Sequence, residues 1–156
     1  MVINMNENKI ITKILTGTDI KLINTGILLL RSILGIILFV VGAGKVIGWF
    51  GGFGFHSTIQ FYGKMGFSVF LTYLSSYTEF IGGLLLTIGF LTRPVLIAVI
   101  INMYVAATVM FPHGFLGPSG ASYPFTFFII AIVILLTGPM NISIDYLIFN
   151  KKDKKI

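Results

Sequence analysis

The chain has 156 residues, 56% of them hydrophobic and only 10% charged, with a mean hydropathy of +0.98. A soluble domain carries about 25% charged residues, so this composition excludes a core coated by water-facing polar side chains. Net charge is +6, with no Cys and two His; thiol chemistry and Cys metal sites are excluded, and a metal site built from this chain alone is not expected.

Residues 1–21 read as a polar tail carrying Lys9, Lys13 and Lys21. Ile10, Ile11, Ile14 and Leu15 fall at helical spacing, which suits a short interfacial helix. No apolar core ends in a small-residue cleavage site, so no removable signal peptide is read. The first span is expected over 22–47, long enough to cross a bilayer. It carries Arg31 and Lys45, fourteen residues or about 21 Å apart on a helix. That spacing puts both on one face, together with Gly35, Leu38 and Gly42. The opposite face is Ile, Leu, Phe and Val, suited to lipid. Gly44 and Gly48 form a small-xxx-small pair that permits close helix approach.

The stretch 49–66 is too short and too Gly-rich to span. Trp49, Phe50, Phe53, Phe55, Phe61 and Tyr62 suit the water–lipid boundary, and a short surface helix is expected over 57–64. The second span, 67–90, places Thr72, Ser75, Ser76, Glu79, Gly82 and Gly83 on one face. Glu79 lies about 18 Å deep by helical rise, beyond the reach of water by side-chain extension. A linker, Leu91-Thr92-Arg93-Pro94, leads to the third span at 94–111, with Asn102 and Thr108. Pro94 fits a first helical turn. After a Gly/Pro loop the fourth span runs over 123–136. Thr137-Gly138-Pro139 breaks it, and 142–149 continues as an amphipathic segment containing Asp145. The tail 150–156 is basic.

The expected architecture is an all-α membrane protein: a four-transmembrane-helix bundle over 22–149, with a short interfacial helix between the first two spans. Eight positive residues fall on the side of the two tails and the second linker, against Lys45 and Lys64 on the other. That imbalance places both termini in the cytoplasm. It reads as membrane topology, with the lipid bilayer as partner and no nucleic acid.

The ordered set Arg31-Ser-Ile-Leu-Gly35, Gly42-Ala-Gly-Lys45, Glu79-Phe-Ile-Gly82-Gly83, Gly89-Phe-Leu-Thr92-Arg93, Leu136-Thr-Gly-Pro139 and Ser143-Ile-Asp145 resembles the DoxX family. The resemblance covers roughly residues 25–149. It implies a four-helix protein of the plasma membrane. Family members are linked to thiosulfate:quinone oxidoreduction and to membrane complexes that handle oxidative or thiol stress. Where the family often carries an acidic or aromatic–acidic pair before its last span, this chain has Ser122-Tyr123-Pro124.

Glu79 with Arg31 or Lys45 is the sharpest constellation. One reading is a polar site that binds a quinone head group or relays a proton; the other is a structural ion pair that fixes helix order. Counting helical rise from the expected span ends favours Arg31 over Lys45 as the partner of Glu79. His56, His113 and Arg93 are candidates for cofactor binding. Each also has a plainer reading, as an interfacial His or a positive-inside anchor. Three function classes stay open: a quinone-linked redox subunit whose electrons come from a partner enzyme, a non-catalytic membrane scaffold, and a small transporter.

Overall fold

A computed structural model describes residues 20–117, 120–138 and 143–149. The basic tail at 150–156 and the segment expected to form an interfacial helix at 10–15 lie outside the described residues. Every described regular element is helical: α1 Ile20–Ile47, α2 Gly54–Lys64, α3 Val69–Ile88, α4 Thr92–Met110, α5 Ser122–Thr137 and α6 Ile144–Phe149. Single 3-10 turns follow α1 and α4, at Trp49–Gly51 and Phe111–His113. Three helical stretches are long and apolar enough to cross a membrane: Ile20–Ile47, Val69–Ile88 and Thr92–His113. The helix α5 is strongly apolar but shorter, at 16 residues.

Local chemistry sets the ends of these helices. Gly48 ends α1 in the left-handed region at φ 73°, a conformation open to glycine without a Cβ penalty. Ser68 caps α3, its Oγ accepting from the Leu71 N–H at 3.3 Å. Gly89 closes α3 at φ 71°. The helix α2 starts three residues before the expected 57, because the turn preceding it is completed by Gly54 at φ 73°.

The pairing of α1 with α3 is the most extensive helix contact, and glycines make it possible. A methyl group at Gly42 would run into the Phe80 backbone, and one at Gly83 into that of Phe39. One at Gly35 would lie 2.8 Å from the Gly83 carbonyl oxygen. The two backbones therefore touch directly along one seam, as small residues permit in a membrane. Gly82 faces the other neighbour, 3.2 Å from Val95 of α4 by the same measure. Beyond the seam, Leu34, Leu38 and Leu86 join Leu96, Val99 and Met103 of α4 and Phe127, Ala131 and Ile134 of α5 in one buried core. Outward-facing residues are large and apolar, among them Leu29, Ile33 and Ile36 on α1, Phe70 and Leu74 on α3, and Ile97 and Ile101 on α4. A protein in water does not present so much contiguous apolar surface.

One glycine pair works differently from expectation. Gly44 does not meet a neighbouring helix. Its backbone lies against Gly52 of the returning loop, and Gly48 serves as the stop signal. The close approach is helix to loop, and it folds residues 49–53 back over the end of α1.

Replacing Gly42 or Gly83 by Ala should cost roughly 1–3 kcal/mol of unfolding free energy, the usual penalty of overpacking. Gly26 has open space around it, so Gly26→Ala should be neutral or stabilising by up to about 1 kcal/mol through helix propensity. Unfolding titrations in mixed micelles check the contrast; equal effects at Gly26 and Gly42 would refute the seam.

Candidate functional site

Glu79 sits in the middle of α3 and is 5% exposed. A lone carboxylate there would lose its hydration with nothing in exchange. The compensation comes from three other helices. Lys45, in the last turn of α1, brings its Nζ to 2.6 Å from Glu79 Oε2. The same ammonium donates to the Tyr62 hydroxyl of α2 at 3.0 Å. Asn102 of α4 donates its amide N–H to Glu79 Oε1 at 3.3 Å.

The lysine's position is fixed from several directions. Thr58 of α2 donates to the Lys45 carbonyl at 3.2 Å and to that of Gly54 at 2.8 Å. It thereby ties α2 to the end of α1. Gly42, one turn before Lys45, lets the backbone of Glu79 and Phe80 approach. A cation in the last helical turn is also favoured by the helix dipole.

A cleft of about 350 Å³ opens beside this pair, between α2, α3 and α4. Its walls are mostly apolar, with Phe61, Leu71 and Val105 among them. Tyr62 and Asn102 also line it. The two side chains that hold the ion pair therefore stand at the cleft wall, together with Ser75 and Thr78. Tyr62 accepts from Lys45, so its own hydroxyl proton is free in direction to donate to another group. The volume falls in the usual range for small-molecule sites, about 300–1,000 Å³.

Arg31 is not the partner of Glu79. It is buried near the middle of α1, fourteen residues before Lys45, against the linker between α3 and α4. A methyl on Gly89 would lie 2.9 Å from the Arg31 guanidinium carbon, and Asp145 attracts it electrostatically. Asp145 reaches this point from α6. Its Oδ1 accepts from the Leu91 N–H and its Oδ2 from the Thr92 N–H, each at 2.8 Å. Its own N–H donates to the Gly89 carbonyl at 3.1 Å. Ser143 caps α6 by accepting from the Tyr146 N–H at 3.0 Å. A carboxylate thus satisfies two donors at the start of α4, which the helix itself leaves without partners. It also steadies Leu91, held at φ 50°.

The three cofactor candidates lie elsewhere. His56 is exposed on α2, its Nε2 at 3.0 Å from the Gln60 amide. His113 is exposed in the 3-10 turn after α4. Arg93 is exposed in the first turn of α4, near Gly138. None of the three lines the cleft. Tyr62 and Asn102 are the side chains that join the ion pair to the cleft wall. Asn102 had a signal in the sequence, as an amide inside an apolar span. Nothing separated Tyr62 from the aromatic residues around it.

Replacing Asp145 by Ala should lower stability by roughly 2–3 kcal/mol, since hydrogen bonds to a charged acceptor are among the stronger ones. Denaturant unfolding of the purified protein measures it. A loss below the error of the titration would show that the start of α4 does not depend on this carboxylate.

Residues 26–114 match the model of the DoxX family. A Bacillus subtilis (strain 168) protein named "Putative oxidoreductase CatD" is 35% identical over 133 residues, covering 85% of this chain and 93% of that protein. No solved structure gives a significant match. The apolar helices, the buried ion pair and this family match agree, and the chain belongs to the DoxX family of membrane proteins.

Proposed function

We propose that this protein is the membrane subunit of a quinone-linked oxidoreductase complex, with the quinone head group held at Tyr62 and Asn102 beside the Lys45–Glu79 pair. One observation carries the reading. The ion pair is bonded to Tyr62 and Asn102, and both line an apolar cleft of about 350 Å³. A quinone is an apolar ring and tail with two carbonyl acceptors. It needs hydrogen-bond donors at one end and greasy walls at the other, which is the make-up of this cleft. The Tyr62 hydroxyl and the Asn102 amide are the donors; Phe61, Leu71 and Val105 flank the apolar part. When bound, the quinone supplies the redox chemistry. The name of the Bacillus relative gives independent support for an oxidoreductase. With no Cys in the chain, and no haem or dinucleotide motif in the sequence, electrons are taken to come from a partner enzyme.

In this reading α1, α3, α4 and α5 are four antiparallel spans in the plasma membrane, and α2 lies at the interface. Both tails are cytoplasmic, an orientation the charge imbalance supports. The Arg31–Asp145 cluster then faces the cytoplasmic end and the Lys45–Glu79 pair the outer half. The alternative, a scaffold without a ligand, draws on the position of Glu79 at the α1–α3 crossing, where an ion pair also fixes helix register.

Binding of a short-tailed quinone to the protein in nanodiscs separates the two. Tyr62→Phe removes one hydrogen bond, worth about 0.5–1.5 kcal/mol, and should weaken binding by roughly two- to tenfold. Asn102→Leu should weaken it at least as much while the protein stays folded. Absence of binding by the native protein, or unchanged affinity in both variants, would leave the scaffold.

A further inference from the structure

Lys45 borders a second space. An open chamber of about 250 Å³ lies under the 49–53 loop, lined by Val40, Val41, Lys45, Gly51, Gly52 and Thr58. Trp49, Phe50, Gly51 and Phe53 of that loop are exposed, so the chamber lies at the surface of the bundle's end. The cleft and the chamber do not share a lining residue. They are joined by one hydrogen bond, from Lys45 Nζ in the chamber to the Tyr62 hydroxyl in the cleft. Gly52 packs directly on Gly44, and this contact forms one wall of the chamber.

We propose that Lys45 and Tyr62 form a proton relay between the cleft and this chamber, so that protons reach the ligand from the aqueous phase on the loop side. The proposal rests on the quinone reading of the cleft. Tyr62 gives its O–H proton to the ligand oxygen. The Lys45 ammonium replaces it, its N–H bond breaking as the tyrosine O–H re-forms. Lys45 is left as a neutral amine beside the Glu79 carboxylate and regains a proton from hydronium in the chamber. The net transfer is one proton from water to ligand, with every protein group restored. Two such cycles accompany the two electrons that quinone reduction takes from a reduced flavin or iron–sulfur centre of the partner. The Glu79 carboxylate, 2.6 Å from the Lys45 Nζ, draws the incoming proton to it. Asn102 of α4, which does not titrate, also faces the relay through its hydrogen bond to Glu79.

The Cys-free chain allows a direct test. Val41 lines the chamber about one turn below Lys45 and touches neither the ion pair's hydrogen bonds nor the cleft. Val41→Cys is made, folded and reconstituted in sealed vesicles, then treated with a charged, water-soluble maleimide. The thiol should react from the loop side and not from the side of the tails. Filling the chamber after folding should leave the affinity for a short-tailed quinone unchanged. Proton uptake during reduction of bound quinone at an electrode should slow by at least about a hundredfold, the low end of what a lost proton-transfer group costs. A thiol unreactive from the loop side, or native rates of proton uptake after modification, would overturn the relay. Absence of quinone binding in the unmodified protein would instead overturn the reading of the cleft, and labelling would still decide whether an aqueous chamber reaches Lys45.

Discussion

The contact between Lys45 and Glu79 constrains the rest of the molecule. Each charge alone at the centre of a bilayer costs roughly 2.5 kcal/mol or more. Together, at 2.6 Å, they form a neutral pair. The pair forms where α1 and α3 pack almost backbone to backbone, as Gly35, Gly42 and Gly83 allow. It also fixes the register of the two helices. Tyr62 adds a hydrogen bond to the lysine and Asn102 one to the glutamate, so α2 and α4 are drawn to the same point. A buried pair of this kind is a poor source of net stability but a strong selector of one arrangement.

The charged motifs sort into two clusters about 21 Å apart along α1, one near its middle and one at its C-terminal end. Gly42 and Lys45 with Glu79 form the one beside the cleft. Arg31, Gly89, Thr92, Ser143 and Asp145 come together at the other, where Asp145 holds the start of α4. The two are linked mechanically through α4. Its first turn is fixed by Asp145, and Asn102, about ten residues or 15 Å further along, is bonded to Glu79. The second cluster thus orients a helix that contributes to the first.

Much of this was legible from the residues. Apolar runs punctuated by glycine and proline marked α1, α3, α4 and α5 to within a few residues, because helix ends here are set by local chemistry at Gly48, Ser68, Gly89 and Pro94. The inward placement of Gly35, Gly42, Gly82 and Gly83 followed from their shared face with the charges. The partner of Glu79 was not legible. Counting depth from expected span ends assumes that neighbouring helices begin and end level. Instead, Gly42 lies opposite Glu79 and Phe80, and that stagger carries Arg31, fourteen residues before Lys45, to the level of the linker. Register between helices comes from tertiary packing, which periodicity does not encode. Asp145 was visible as an acid in an amphipathic segment, but its bond to the linker spans more than fifty residues, and no local pattern announces it.

The central claim, that Lys45 and Glu79 are one another's partners and set the α1–α3 register, is tested most directly by a double-mutant cycle. Stability of Lys45→Met, Glu79→Gln and the double variant is measured by unfolding in mixed micelles. Each single change should cost about 3–5 kcal/mol, because it leaves a buried charge unpaired. The double change should cost clearly less than either single change, since no charge is left alone. A double variant that loses the sum of the two single effects would contradict the account, for it would show that the two residues act independently.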